Sequence, residues 1–308
     1  MQVRQIASVA SRSRERPEKD SSVPSPSDPV AFTLLGISVR WYAIIILTGI
    51  LCAIWLVRVL ARQRGLNPDF PLDIAPWVVF AGIAGARIYY ILLRGDYFLE
   101  HPGEAFNIRL GGLSIHGAVL AGVPVVAYFC YRAGQRFLTW ADLTVAGVAL
   151  GQAIGRWGNW ANQEAFGTPT SLPWGVAIDP RNRPRAYASV EHFHPTFLYE
   201  SLFNLLNVAI LVWIVVRIPN SRWLRQGDAL GVYLVLYGIA RFAIERIRTD
   251  SLYIGALPAA YWLSFGFAIA GAIILIWSRI TPERDMANDP SQPQSVGVYE
   301  DIQRRNLR

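Results

Sequence analysis

Seven segments of about 20 predominantly apolar residues run through this chain, and they constrain its fold more than any other feature. A segment of that length and composition is what an α-helix needs to cross the hydrocarbon core of a bilayer. Composition agrees, since 53% of the 308 residues are hydrophobic and only 17% are charged, whereas soluble domains carry about 25% charged residues. The segments cover residues 36–58, 72–93, 113–131, 140–158, 197–217, 228–247 and 257–279. The sequence therefore predicts an all-α polytopic membrane protein with seven transmembrane helices.

The remaining sequence falls into two tails and one long connection. Residues 1–30 and 281–308 are polar, rich in Ser, Pro and Arg, and without an apolar run, so we predict disordered tails. The first tail lacks the apolar segment and cleavage site of a secretory signal peptide. Residues 159–195 contain five prolines and make a connection long enough to form a small head. Residues 31–280 then form a single membrane domain.

The basic residues predict an orientation in the membrane. The net charge of +7 indicates membrane placement and not a nucleic-acid partner, because Arg and Lys concentrate in cytoplasmic loops. With the N-terminus outside, the inner loops and the C-terminal tail carry thirteen arginines, and the outer loops carry eight. Five further basic residues, from Arg4 to Lys19, lie far from the first span, where they have little influence on orientation. We therefore predict an outer N-terminus and a cytoplasmic C-terminus.

Polar residues lie inside two of the predicted spans, at spacings that place each set on one helix face. They are Gln152, Arg156 and Asn159 in the fourth span, and Tyr237, Arg241 and Glu245 in the sixth. An arginine at bilayer depth costs about 2.5–3.5 kcal/mol, so it faces a cavity or a partner. The sixth-span set is compatible with a structural ion pair. Two arginines on different helices favour a shared anionic ligand, because a guanidinium group binds two oxygens of a phosphate at once.

Other candidates lie near the ends of the spans, and each has a structural interpretation beside a functional one. His116 is either a hydrogen-bonded histidine at a helix end or a neutral imidazole that accepts a proton. His194 and Glu200 are either part of a capped helix start or members of the polar site. Tyr42 is typical of an interfacial aromatic anchor. Arg87 lies among small residues and is either a packing partner or a ligand-binding group.

Four motifs, in chain order, resemble those of the prolipoprotein diacylglyceryl transferase family. They are GGLSIHG at 111–117, GRWGNWANQE at 155–164 followed by Gly167, HPTFLYE at 194–200, and YGIARFAIE at 237–245. The resemblance covers residues 31–280 and leaves only the two tails outside it. Ala118 and Gln163 stand where the family usually has glycine. Both changes affect backbone freedom and remove no charged group.

This resemblance implies a seven-helix enzyme of the bacterial inner membrane, with its N-terminus, active site and head toward the periplasm and its C-terminus in the cytoplasm. It implies transfer of the diacylglyceryl group from phosphatidylglycerol to the lipobox cysteine in the signal-peptide region of a prolipoprotein, with release of glycerol phosphate. That reaction is the first step of bacterial lipoprotein maturation. No cofactor or metal is implied.

The resemblance also assigns residues. The candidates for catalysis are Arg241, His116, Glu245 and Tyr237. The candidates for binding phosphatidylglycerol are Arg156, Asn159, Tyr42, Glu164 and Gly167. To these we add Arg87, Gln152, His194 and Glu200 as supporting candidates.

In the mechanism that we expect, the nucleophile is the cysteine of the substrate. A free thiol has a pKa near 8.5, so the field of two arginines would favour the thiolate and stabilise the departing phosphate. The proton acceptor is His116 or a carboxylate such as Glu245, and the sequence does not choose between them.

Two other classes of protein remain open at the level of sequence. A lipid or anion transporter is typically built from repeats with broken helices, and the sequence shows no repeat. An intramembrane protease needs a nucleophile such as Ser114 in a glycine-rich turn, but paired arginines do not assist proteolysis.

Overall fold

The computed structural model describes residues 28–107, 111–249 and 253–280. Within these ranges the chain is mainly helical, as expected for apolar segments that must satisfy their own backbone hydrogen bonds in a bilayer. The helices are α1 (Trp41–Gln63), α2 (Phe70–Leu93), α3 (Gly95–Glu100), α4 (Ile115–Arg132), α5 (Phe137–Asn162), α6 (Thr196–Arg217), α7 (Asp228–Glu245) and α8 (Ala259–Ile280). Short 3-10 turns lie at Pro102–Phe106, Pro180–Asn182, Arg185–Tyr187 and Ile218–Asn220. Of the predicted tails, residues 1–27 and 281–308 lie outside the described residues.

Six of these helices, α1, α2, α4, α5, α6 and α8, are long and apolar enough to cross a membrane. The prediction of a polytopic helical membrane protein is therefore confirmed. The sixth predicted span corresponds to α7, which has 18 residues and carries Asp228, Arg241 and Glu245. Its three charged residues set it apart from the other six, and the count of seven spans stays a prediction.

Within the described ranges, three short pairs of antiparallel strands lie next to the ends of helices. β1 (Val30–Leu34) pairs with β2 (Ile37–Arg40), β3 (Val176–Ala177) with β4 (His192–Phe193), and β5 (Tyr253–Ile254) with β6 (Leu257–Pro258). The first hairpin includes Val30, which we had placed in the tail. It also corrects the start of the first span, because residues 36–40 form the turn and β2, and α1 begins only at Trp41.

The helices pack in pairs around α5, which is the most buried of the candidate spans. α1 and α6 both pack against α5, while α2 packs on α4 and α7 on α8. Small residues allow the backbones to approach closely in the α2–α4 and α7–α8 pairs. A Cβ atom on Gly85 of α2 would lie 2.5 Å from the backbone oxygen of Gly117, and one on Gly238 of α7 would lie 2.7 Å from that of Ser264. Such approach of backbones is typical of helix packing in membranes.

Two buried aspartates hold one end of the bundle together. Asp142 accepts hydrogen bonds from the backbone N–H groups of Gly227, at 2.6 Å, and Leu230, at 2.9 Å. Asp228 accepts from Ser278 at 3.0 Å and from both Nη atoms of Arg279 at 2.8 and 3.0 Å. Each aspartate is 1% exposed. These contacts join α5, α7 and α8 at the end where α7 begins.

The connection between α5 and α6 folds into a small head. Its core consists of Phe166, Val176, Ile178 and Phe193, packed against Phe197 of α6. α5 continues to Asn162, so the head begins about one turn later than residue 159, the predicted start. In an exposed turn of the head, hydrogen bonds from Arg181 lower the pKa of Asp179 to about 2. That carboxylate is therefore ionised at any physiological pH.

Candidate active site

Most of the predicted site residues on the helices lie toward the other end of the bundle. Tyr42, His116 and Glu200 stand at the starts of α1, α4 and α6, whereas Arg156 and Arg241 stand near the ends of α5 and α7. Side-chain contacts show that these starts and ends coincide. A Cβ atom on Gly158 would lie 2.8 Å from the ring of Tyr42, and Arg156 is paired with Glu200. The alternating directions of the helices thus gather residues that are far apart in sequence.

Arg156 forms a salt bridge with Glu200 across the interface of α5 and α6. Its Nη2 atom lies 2.5 Å from Glu200 Oε2, and the two side chains are 21% and 8% exposed. Two hydrogen bonds accompany the pair, from Trp157 Nε1 to Ser201 Oγ at 3.2 Å and from Ser201 Oγ to the backbone oxygen of Ala153 at 2.8 Å. The salt bridge and these two hydrogen bonds form a row of polar contacts between α5 and α6, which holds Arg156 in place.

Arg241 is held by a carboxylate of its own helix. Its Nη2 atom lies 2.6 Å from Glu245 Oε2, and the Glu245 side chain is 2% exposed. The Nη1 atom of Arg241 is buried and has no hydrogen-bond partner among the described residues. A buried charged donor without a partner is costly, so this atom indicates a place for an acceptor.

A cavity of about 230 Å³ lies between α6 and α7, and Arg241 is the arginine that lines it. Its polar lining comes from Tyr199, Glu200, Asn204, Tyr237 and Arg241. Glu200 thus contacts Arg156 on one side and faces the cavity with Arg241 on the other. The lining also includes Ile239, which is 56% exposed, so the cavity reaches the outer surface of the bundle.

A second, largely apolar cavity of about 240 Å³ lies between α1, α5 and α6. Ile45, Ile154 and Leu205 line it, and Trp157 and Ser201 also contribute. It therefore adjoins the row of polar contacts that holds Arg156. Its size and its apolar lining are suited to a hydrocarbon chain.

Tyr42, Asn159 and Glu164 surround the end of α5 near Arg156. Tyr42 lies within electrostatic range of both Arg156 and Glu164. The backbone N–H of Glu164 donates to the backbone oxygen of Asn159 at 3.0 Å, and Asn162 Nδ2 donates to Glu164 Oε1 at 3.3 Å. The predicted lipid-binding residues other than Gly167 are therefore brought together.

Gln163, the residue that departs from the family's glycine, ends α5 in a left-handed conformation. Its φ is +51°, a region in which glycine is favoured. The side chain has a role that glycine cannot supply, because Gln163 Oε1 accepts from the backbone N–H of Asp179 at 2.8 Å and from Asn182 Nδ2 at 3.2 Å. Gln163 therefore ties the head to the end of α5.

Gly167 and His194 lie where the head meets the helices. The backbone N–H of Gly167 donates to the backbone oxygen of His194 at 2.9 Å, and a Cβ atom on Gly167 would lie 2.9 Å from the backbone oxygen of Ile247. His194 Nδ1 is 3.2 Å from the hydroxyl of Tyr199, which also accepts from Trp174 Nε1 at 2.9 Å. Both residues therefore position the head over the cavity.

Arg87 and His116 lie on the α2–α4 pair. Arg87 is 8% exposed and fastens the connection between these helices. Its acceptors are the backbone oxygens of Glu104, Ala105, Asn107, Gly111 and Gly112, at 2.6–3.3 Å. His116 Nδ1 is 3.3 Å from Ser114 Oγ, and its ring lies 5.9 Å from that of Tyr89. Among the described residues, none of its hydrogen-bond or ring contacts is with either site arginine.

The sequence reading missed a polar face on α6. Asn204 lines the cavity and Asn207 is 1% exposed. With Glu200 they follow the spacing of four and three that identified the polar set of α5. The same spacing rule applied to the fifth span would have found them. Tyr233, which donates from its hydroxyl to Gln152 Oε1 at 3.1 Å, was also missed, since a tyrosine in a span is usually a packing residue.

Comparison with known proteins agrees with the motifs. The sequence model of the prolipoprotein diacylglyceryl transferase family matches residues 29–277. The chain is 42% identical over 250 residues to a phosphatidylglycerol–prolipoprotein diacylglyceryl transferase of Gloeobacter violaceus, covering 81% of this chain and 92% of that protein. It is 41% identical over 249 residues to the protein of that name from Finegoldia magna, covering 81% and 95%. The resemblance is confirmed: this chain belongs to the prolipoprotein diacylglyceryl transferase family.

Proposed function

We propose that this protein transfers the diacylglyceryl group of phosphatidylglycerol to the lipobox cysteine of prolipoproteins and releases glycerol phosphate. Family membership and the names of the relatives support this activity. The observation that carries it is the pair of part-buried arginines, Arg156 and Arg241, each held by a glutamate at the same end of an apolar bundle. Such a site suits a lipid headgroup that carries a phosphate. The reaction is the first step of lipoprotein maturation.

In this proposal the phosphate lies between the two arginines. Each salt bridge uses one guanidinium nitrogen, so the other donors are available, and the unpaired Nη1 atom of Arg241 is one of them. Asn159 and Tyr42 supply further polar contacts beside Arg156. The apolar cavity between α1, α5 and α6 gives room for hydrocarbon next to the headgroup site.

The chemistry exchanges one bond for another. The cysteine sulfur attacks the glyceryl carbon that carries the phosphate oxygen, the S–C bond forms, and the C–O bond breaks with its electron pair going to glycerol phosphate. The arginines stabilise the charge that develops on this phosphate. The thiol proton passes to a base. We place the base at Glu245 because it lies beside Arg241, whereas the contacts of His116 among the described residues are with Ser114 and Tyr89.

The membrane arrangement follows from the same proposal. α7 packs closely on α8 and crosses with it as a seventh span, with its charged residues turned to the site and to the aspartate cluster. The N-terminus, the head and the site lie on the periplasmic side of the inner membrane, and the C-terminus is cytoplasmic. The excess of arginines in the loops at the opposite end supports this orientation.

The direct test is transfer by the purified protein in detergent. Phosphatidylglycerol and a synthetic lipobox peptide are supplied, and mass spectrometry follows the peptide. We expect a diacylglyceryl mass gain on the peptide together with release of glycerol phosphate. A peptide with serine in place of cysteine, and phosphatidylethanolamine in place of phosphatidylglycerol, are the controls without transfer. Folded protein that gives no mass gain would contradict the proposal and favour lipid binding or transport.

Ser114 Oγ lies 3.3 Å from His116 Nδ1, and in the part of the chain that the structure describes this is the one contact that resembles a hydrolytic pair. Ser114→Ala separates the two activities. A transferase keeps most of its turnover because its nucleophile comes from the substrate, whereas a serine protease loses activity. Peptide cleavage by the wild-type protein that disappears in Ser114→Ala would establish proteolysis instead.

A further inference from the structure

The α6–α7 cavity extends about one helical turn deeper than Glu200 and Arg241, where Tyr237 and Asn204 supply its polar lining. Asn204 contributes the side-chain amide. The residue is 5% exposed and lines the cavity. Its side-chain amide makes no hydrogen bond to any described residue. Buried polar groups in folded proteins have hydrogen-bond partners. Because Asn204 also lines the cavity, its amide is available to a polar group that enters there.

Asn204 has a counterpart on α5. Gln152 lies four residues before Arg156, and Asn204 lies four residues after Glu200. Because Arg156 and Glu200 are paired, and residues four apart share a helix face, the two amides lie one turn deeper on the facing surfaces. Gln152 Oε1 accepts from the hydroxyl of Tyr233 at 3.1 Å. This bond uses the amide oxygen of Gln152 and leaves its N–H groups as donors.

The depth of these donors matches the structure of a glycerophospholipid. One helical turn rises about 5.4 Å, and in such a lipid the ester carbonyl oxygens follow the phosphate after the carbons of the glycerol. With the phosphate at the arginines, the carbonyl oxygens reach the level of Asn204 and Gln152. Carbonyl oxygens accept hydrogen bonds, and the side-chain amides of Asn and Gln donate them.

We propose that Asn204 and Gln152 bind the ester carbonyl oxygens of the diacylglyceryl group, so that the site selects ester-linked over ether-linked lipids. The inference rests on the proposed function, because the arginines set the level of the phosphate. Ordered water is the other group that satisfies buried amides. Water would fill the same space whatever the linkage of the lipid, so the two accounts differ in their dependence on the ester.

The experiment compares two lipids that differ only in those carbonyl oxygens. Initial rates of peptide modification are measured with diacyl phosphatidylglycerol and with its dialkyl ether analogue of equal chain length. The bond that breaks is the same in both. For the wild-type protein we expect a KM about five-fold lower for the ester lipid, the factor of one hydrogen bond of ordinary strength. In Asn204→Leu the KM for the ester lipid rises to that of the ether lipid, which itself is unchanged.

Asn207→Leu is the matched control. It makes the same chemical change three residues further along α6, at a residue that is 1% exposed and does not line the cavity. The amide of Asn207 also has no hydrogen-bond partner among the described residues, so the two positions differ in their access to the cavity. The ratio of the two KM values stays at that of the wild type. Gln152→Leu is the second variant, for use if Asn204→Leu does not fold, and it also lowers the ratio.

Two results would overturn the inference. The first is an equal KM of the wild-type protein for both lipids. The second is a rise of both KM values by the same factor in Asn204→Leu. Either result would mean that the amides serve hydration or packing. Failure of the proposed function looks different, since the wild-type protein then modifies no peptide even with the ester lipid.

Discussion

Arg156 and Arg241 are tolerated in an apolar bundle because each has a carboxylate partner at 2.5–2.6 Å. Removing one partner of a buried pair leaves an uncompensated charge, which costs about 3–5 kcal/mol. The exposure of 21% at both arginines lowers that figure through solvent screening. The glutamates therefore keep the arginines in place in the absence of lipid.

The first prediction for a single residue concerns the group that accepts the thiol proton. Glu245→Gln keeps the shape of the side chain but cannot accept the thiol proton, so turnover falls by about 100-fold or more while lipid binding persists. Initial rates and a lipid-binding titration measure the two effects. If His116 is the base instead, His116→Gln removes turnover at every pH and leaves lipid binding intact, and Glu245→Gln retains activity.

Gln163 offers a second prediction. Gln163→Ala keeps the left-handed backbone and loses the hydrogen bonds to Asp179 and Asn182, so the melting temperature falls. Gln163→Gly loses the same bonds but relieves the backbone by about 1 kcal/mol, and we expect its melting temperature between those of Gln163→Ala and the wild type. Thermal unfolding in detergent gives the order, and an alanine variant as stable as the wild type would contradict it.

The spacing of polar residues in the spans predicted Arg156, Arg241 and Glu245 as one-face sets. It did not predict that Glu200 pairs with Arg156, because the partner of a buried charge depends on which helices become neighbours. Local spacing also left the position of Arg87 open. The structure shows that its guanidinium group binds backbone oxygens of the α2–α4 connection.

At the level of elements, the helices were predictable because a span must be long and apolar. Their ends were less so. The hairpin of β1 and β2 displaced the start of α1 to Trp41, since backbone pairing outside the apolar run leaves little periodic signal. α7 was predicted from the apolar segment at residues 228–247, although its charges keep it outside the six candidate spans.

A substitution can test the contact between the head and the residues that follow the end of α7. In Gly167→Ala the new methyl group meets His194 Cβ at 2.8 Å and the backbone oxygen of Ile247 at 2.9 Å. Neither neighbour belongs to a flexible side-chain end, so the head shifts away from α7. We expect a lower melting temperature and a higher KM for phosphatidylglycerol. Gly266→Ala is the control, because nothing lies within 4 Å of its Cβ position, and a helical alanine there is neutral or slightly stabilising.

If Gly167→Ala matches the wild type in both stability and KM, the head does not depend on this close approach. Loss of stability without a change in KM would show that the head contact supports the fold alone.

At the scale of the whole molecule, the two ends of the helix bundle have different roles. In the proposed function, lipid chemistry lies at the end with Arg156 and Arg241, and the opposite end contains the buried aspartates Asp142 and Asp228. Asp228 and Arg241 are thirteen residues apart on α7, which corresponds to about 20 Å. Changes at one end are therefore expected to leave the other unaffected.

Asp228→Asn tests this separation. Asn has one acceptor oxygen in place of two, so the contacts with Arg279 and Ser278 weaken, and we expect a loss of stability of about 2 kcal/mol. The KM for phosphatidylglycerol remains that of the wild type. Thermal unfolding and initial rates check both outcomes, with exposed Asp73→Asn as the control. A changed KM in Asp228→Asn would show that the two ends are coupled.

The central claim is that Arg156 and Arg241 together bind the phosphate and stabilise its departure. The measurement that tests it is the initial rate of peptide modification in Arg156→Lys and Arg241→Lys, with Arg246→Ala as an exposed arginine control adjacent to Glu245. Lysine keeps the charge and loses the two-pronged contact, so we predict a fall of about 100-fold in each and a rate near that of the wild type for Arg246→Ala. Wild-type turnover in either folded lysine variant would contradict the account.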